Sequence, residues 1–142
     1  MSSLFNIISI LYIFRSAQLL VIIWRDWAGI VQEPLTQHKK HLAEQASFFL
    51  AVPFGVFFHE LGHALAVWYF GGTVVSFNFR FFWGEVEHMG TYTPAERWLI
   101  SLAGTIGSLL FGLGLWLLLR HNRVSSLRYF GLRAFRFQIY FS

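Results

Sequence analysis

Apolar residues crowd into three stretches of this chain, each long enough to cross a bilayer as a helix, which takes about 20 residues. They run from Leu4 to Trp24, from Ala46 to Phe70, and from about Ala95 to Leu119. Arg15 and Gln18 interrupt the first, so it either packs those groups against other helices or lies in the interface; spanning is the reading adopted. A polar linker from Arg25 to Gln45 separates it from the second span. There Pro53 predicts a bend one to two turns before His59, and Gly71-Gly72 ends the helix.

Between the second and third spans the period changes from helical to two. Val75, Phe77, Phe79 and Phe81 alternate with Ser76, Asn78 and Arg80, as in a strand with one apolar face. Trp83-Gly84 is the expected turn, and Glu85 to Tyr92 the returning strand. Thr93-Pro94-Ala95-Glu96 then supplies an N-cap, a proline at the first helical position and a glutamate at the third, which is a capping box. Within the helix it opens, Gly104, Ser108 and Gly112 recur every four residues and make a smooth stripe for another helix. After Arg120 the chain turns basic, then apolar again from Ala134 to Phe141.

These features predict an all-α membrane protein with a small β-hairpin. The expected architecture is a polytopic bundle of about three transmembrane helices (4–24, 46–70, 95–119), with an interfacial hairpin over about 74–92 and the start of a further element at the C-terminus. Residues 1–142 form a single integral membrane domain in this reading, expected to be the N-terminal part of a longer protein. Composition agrees with a multi-pass membrane location, since 56% of residues are hydrophobic and only 13% charged. The net charge of +4 does not point to nucleic acid. Five of the eleven Lys and Arg residues are Arg120, Arg123, Arg128, Arg133 and Arg136, just beyond an apolar span, where they suit anionic lipid headgroups. No basic residue precedes the first apolar stretch, so no removable signal peptide is read there.

Ionisable groups inside a span cost about 2.5 to 3.5 kcal/mol each on insertion scales, so the second span draws attention to His59-Glu60-Leu61-Gly62-His63. On a helix, two histidines four apart lie one above the other and can reach one zinc ion, and Glu60 falls beside them to take a proton from the water that zinc activates. There are no cysteines, so any metal is held by histidine, carboxylate or water. Without metal, the same residues would form a hydrogen-bonded pair that pins helices together. The extended zinc pattern with a glycine and third histidine is excluded by Ala66 and Tyr69. Glu85, Glu87 and His88 remain alternative third ligands; His38, His41, His88 and His121 otherwise read as solvated or interfacial.

Phe58-His59-Glu60-Leu61-Gly62-His63-Ala64, the Gly71-Gly72 break before a strand pair, and Ser101-Leu102-Ala103-Gly104 resemble the site-2 protease family of intramembrane zinc metalloproteases, peptidase family M50. The resemblance covers about residues 46–119. The family's Ala-Gly-Pro segment has Thr105 in place of the proline, and Ser108 stands where asparagine is common. It implies that His59 and His63 are zinc ligands and Glu60 the catalytic base of a protease acting on membrane-protein segments. The family's third ligand, an aspartate on a later helix, has no match, since the only aspartate is Asp26 in the linker.

By that resemblance the hairpin edge would hold an extended substrate strand; the hairpin could equally be inert. Two readings from other classes stand beside the enzyme. One is a catalytically inactive membrane scaffold or substrate-binding relative; the other is a metal transporter, which would spread its ligands over several helices. For orientation, counting basic residues puts the Arg-rich tail in the cytoplasm, whereas the resemblance puts the hairpin there.

Overall fold

The computed structural model describes residues 2–142, with side chains from residue 6 onward. Along the chain come helix α1 (Ser2–Ile30), helix α2 (Gln37–Ala46), a π-helical turn (Ser47–Ala51), helix α3 (Val52–Tyr69), strands β1 (Thr73–Arg80) and β2 (Trp83–Met89), helix α4 (Pro94–Leu119) and helix α5 (Ser125–Phe141). Three helical stretches are long and apolar enough to cross a membrane: Asn6–Ile30, Gln37–Tyr69 and Pro94–Leu119. The protein is therefore a small helical membrane protein with one antiparallel hairpin. The side chain of Leu4, where the sequence opens the first span, lies outside the described residues.

The polar linker is shorter than its composition suggests. α1 carries on through Asp26 to Ile30, and α2 begins at Gln37, with the Thr36 side chain accepting from the Lys39 backbone N–H at 3.3 Å. Residues 37–46 contain no Gly or Pro, so a polar helix can form there and run on towards the second span. Pro53 acts as expected on that run. It cannot donate to the carbonyl of Phe49 one turn back, and the ladder widens into the π turn just before it. The Ser16 hydroxyl on α1 stands 2.9 Å from that carbonyl, and Tyr12 donates to the carbonyl of Phe48. The Ser16 hydroxyl is also 2.9 Å from Tyr12 O of its own helix, so its one proton is shared between that carbonyl and the one that Pro53 leaves without a helical donor.

α3 ends in a Schellman arrangement: Gly72 N–H reaches Val67 O at 2.9 Å, Gly71 N–H reaches Trp68 O at 3.1 Å, and Gly71 takes φ +75°. The hairpin that follows does not turn at Trp83-Gly84. Its register pairs Arg80 with Trp83, so Phe81 and Phe82 form the loop and Gly84 lies in β2 opposite Phe79. Phe81 takes a φ of 55°, a backbone conformation costly for an aromatic residue. Arg80 braces the turn from both sides, with its guanidinium 5.4 Å from the Trp83 ring centroid and donating to Asn6 on α1 at 3.0 Å. β2 stops at Met89, and Tyr92 leaves the sheet to pack in a small core with Val67 and Ile100.

The capping box at the start of α4 is formed as read: Glu96 N–H donates to Thr93 Oγ at 3.3 Å and Thr93 N–H to Glu96 Oε2 at 2.7 Å. The small-residue stripe is buried at Gly104, Ser108 and Gly112. α3 and α4 approach so closely that a Cβ on Gly62 would lie 2.2 Å from Ala103 O, and one on Gly107 2.2 Å from Phe58 O. The last segment is a continuous helix, α5, not an element beginning at Ala134. It packs on α4 through Trp116 and Phe135, stacked at 5.9 Å, and on α2 through Arg133 to Glu44 at 3.4 Å and Tyr129 to Glu44 at 2.7 Å.

Candidate metal centre

His59 and His63 stand one turn apart on α3, their ring centroids 4.8 Å apart and nearly perpendicular. His63 Nδ1 lies 2.7 Å from the carbonyl of Ile100 on α4. A carbonyl only accepts, so Nδ1 carries the proton and Nε2 is left bare as a ligand. Gly104 shows where the two rings aim. A Cβ there would sit 2.4 Å from His63 Nε2 and 2.7 Å from His59 Nε2, so both nitrogens converge on the space before that glycine. Two imidazole nitrogens converging on one spot are the kind of ligand that suits zinc.

Glu60 is 6% exposed and lies under the hairpin, where a Cβ on Gly84 would meet its Cγ at 2.3 Å and Oε1 at 2.9 Å. The turn at Phe81-Phe82 is what brings β2 down onto α3 at this point. His59, Glu60 and Gly84 form a wall shared by two cavities. The larger, about 380 Å³, is also lined by His63, Glu85, Val86, His88, Ile100 and Ser101. The smaller, about 240 Å³, is completed by Val52, Gly55, Val56, Phe82, Trp83, Ser108, Gln138 and Phe141.

Glu85 and His88 therefore share a cavity with the histidine pair. Glu87 does not line it and accepts from Ser76 Oγ at 2.8 Å. Asp26 is exposed on α1, outside both cavities, and His38, His41, His88 and His121 are exposed as expected. Among the described residues, no group of three His, Asp or Glu side chains is close enough together to hold a metal ion.

Two residues beside the motif escape a reading of the sequence. Gly84 reads as a turn residue, although glycine inside a strand also marks a close backbone approach, which is its use here. Gln138 sits in an apolar run of α5 and is 2% exposed. It is wedged where a Cβ on Gly55 would fall 1.8 Å from its Oε1 and one on Gly112 2.7 Å from its Cγ. Its Nε2 finds no hydrogen-bond partner among the described residues and belongs to a side chain lining the smaller cavity.

The family model described as Peptidase M50B-like matches residues 41–137, a stretch that takes in the whole motif helix, the hairpin and α4. Comparisons with curated proteins and with solved structures gave no match.

Proposed function

Because the chain belongs to the Peptidase M50B-like family, a family of metalloproteases, we propose that it is a zinc-dependent intramembrane protease that hydrolyses transmembrane or membrane-proximal segments of other membrane proteins. The observation that carries this reading is the convergence of His59 Nε2 and His63 Nε2 before Gly104, with Glu60 buried beside them. His59 and His63 would hold the ion, and Ile100 O fixes the tautomer that makes His63 a ligand. Zinc, when bound, lowers the pKa of water towards ~7 and polarises the scissile carbonyl. Glu60 takes up the proton at its carboxylate and returns it to the leaving amine. Gly84 presses the hairpin onto Glu60 and limits the rotamers the carboxylate can adopt. Gln138 Nε2, a buried donor without a partner among the described residues, is suited to hold a substrate carbonyl. The free edges of the two-stranded hairpin supply backbone groups for an extended substrate strand.

Catalytic zinc sites of this kind use three protein ligands and leave a fourth position open. Among the described residues, Glu85 and His88 share a cavity with the pair and with Glu60. A second reading, a catalytically inactive scaffold or substrate-binding relative, draws on the lack of a three-donor cluster among the described residues.

Zinc content and cleavage of a transmembrane reporter separate the two. The enzyme reading expects about one zinc per chain, metal loss in His59→Ala and His63→Ala, and Glu60→Gln that retains metal but cleaves nothing. A parent protein free of zinc, or equal metal loss in all three variants, sinks it. Metal loss in His88→Ala or Glu85→Gln would identify the third ligand.

A further inference from the structure

Far from the histidine pair, α1, α2 and α5 enclose a cavity of about 180 Å³ whose lining includes Trp27, Lys39, Leu42, Ala46, Ser126 and Phe130. Its walls are apolar but for two groups. Lys39 lies at the rim and donates from Nζ to the carbonyls of Gln32 and Pro34, the latter at 3.1 Å, which leaves one of its three protons free. Ser126 is 4% exposed, and its Oγ has no hydrogen-bond partner among the described residues. A buried hydroxyl without an acceptor is costly, and a water in its place would need two to four polar neighbours, more than these walls supply. What fits is an apolar body that carries an acceptor near one end and a negative charge beyond it.

The surroundings say where such a body comes from. The cavity lies where α1 ends and α2 and α5 begin, the end of the bundle that carries Arg25, Lys40, Arg120, Arg123 and Arg128 as well as Lys39. Trp and Lys side chains at the ends of apolar helices mark the headgroup level of a bilayer, and clustered basic residues there attract anionic lipids.

We infer that this cavity seats the headgroup-proximal part of one acyl chain of an anionic phospholipid. The chain lies among Leu42, Ala46 and Phe130, the ester carbonyl accepts from Ser126 Oγ, and the phosphate meets Lys39. This site does not depend on whether the histidine pair holds metal.

The test uses the full chain in phosphatidylcholine nanodiscs doped with phosphatidylglycerol that carries a photoactivatable diazirine on one acyl chain. Crosslinks should concentrate on Leu42 and Phe130 and saturate at low mole fraction. Unlabelled phosphatidylglycerol should displace them and phosphatidylcholine should not. Ala46→Phe, which fills the cavity, should abolish them. Lys39→Gln, a change at the rim that spares the packing, should weaken binding about fivefold, the effect of one basic residue near an anionic surface, even if Ala46→Phe fails to fold. Labelling that rises in proportion to mole fraction and spreads along the outward faces of α1 and α4 would mean annular lipid only and overturn the site. Displacement by oleate as effective as by phosphatidylglycerol would overturn the phospholipid assignment.

Discussion

A single missing methyl group decides how the two imidazoles meet. Gly104→Ala would put a carbon 2.4 Å from His63 Nε2 and 2.7 Å from His59 Nε2, closer than real contacts allow. α4 would have to retreat or the rings rotate away. The expected outcome is a loss of zinc affinity of 10-fold or more, the size seen when groups around a metal site are disturbed, with helicity by circular dichroism little changed. Unaltered zinc binding in that variant would show that the nitrogens do not converge there. On the other side of the motif, Gln138→Leu keeps the shape of the buried side chain and removes its donor. Reporter cleavage should fall about 100-fold with zinc retained, in line with the loss of one preorganised donor; cleavage at the parent rate would reduce Gln138 to packing. At this scale the sequence was partly readable. His59, Glu60 and His63 stand out because ionisable groups inside an apolar run need a reason. Gly84 and Gln138 do not, because their importance lies in what packs against them from other elements, Glu60 of α3 on Gly84 and Gly55 and Gly112 of α3 and α4 on Gln138, and no local pattern records that.

Among the elements, the junction of α1 with the π turn is where the fold is most exposed to a test. Pro53 leaves the Phe49 carbonyl without its helical donor, and the Ser16 hydroxyl stands 2.9 Å from it and equally far from Tyr12 O. Ser16→Ala should cost about 1–3 kcal/mol, the penalty for leaving a buried acceptor unmade. In a Pro53→Ala background, where the backbone N–H is restored, the same substitution should cost clearly less. Denaturant titrations of the four proteins measure that coupling, and additive effects would refute it. The loop between α1 and α2 offers a pH-dependent test. Glu33 accepts from the side chain of Ser125 at 2.5 Å and from its backbone N–H at 2.7 Å, and these bonds hold its carboxyl below the usual range. A depressed folded-state pKa stabilises above the unfolded value and is lost as pH falls through the folded one. The Tm advantage of the parent over Glu33→Gln should therefore be full near neutrality, begin to shrink near the ordinary glutamate pKa of about 4.3, and be gone once pH is below the lowered folded-state value. A gap independent of pH would disprove the linkage. The hairpin shows why elements are only approximately legible. Alternation located both strands, but the register came from Phe81 adopting a positive φ, which nothing in its residue type foretells, and so the turn moved two residues upstream.

For the molecule as a whole, charge is distributed unevenly between its two ends. The ends of α1 and α4 and the starts of α2 and α5 carry Arg25, Lys39, Lys40, Arg120, Arg123 and Arg128 against Asp26 and Glu33, while the hairpin end sets Arg80 and Arg97 against Glu85, Glu87 and Glu96. The positive-inside tendency then predicts the basic end in the cytoplasm and the hairpin on the opposite side. With no native cysteine to mask, single cysteines at Asn122 and Asn78 can be labelled from outside intact cells. Label at Asn78 alone is expected; label at Asn122 alone would reverse the orientation. The three spans were visible in the sequence because hydropathy reports burial in lipid directly. The course of α5 was not, since its faces are set by Gly112, Trp116 and Glu44 on two other helices.

The partition formed by His59, Glu60 and Gly84 between two cavities carries a consequence for traffic. Beyond the shared wall, one chamber is lined mainly by His63, Glu85, His88 and Ser101, the other by Val52, Val56, Phe82, Trp83 and Phe141 with Ser108 and Gln138 among them. Under the protease reading proposed above, this division lets the two reactants arrive through separate doors, water by the hydrophilic chamber and peptide by the less polar one, to meet only at the dividing wall. Narrowing one door would then starve the reaction of one reactant without hindering the other.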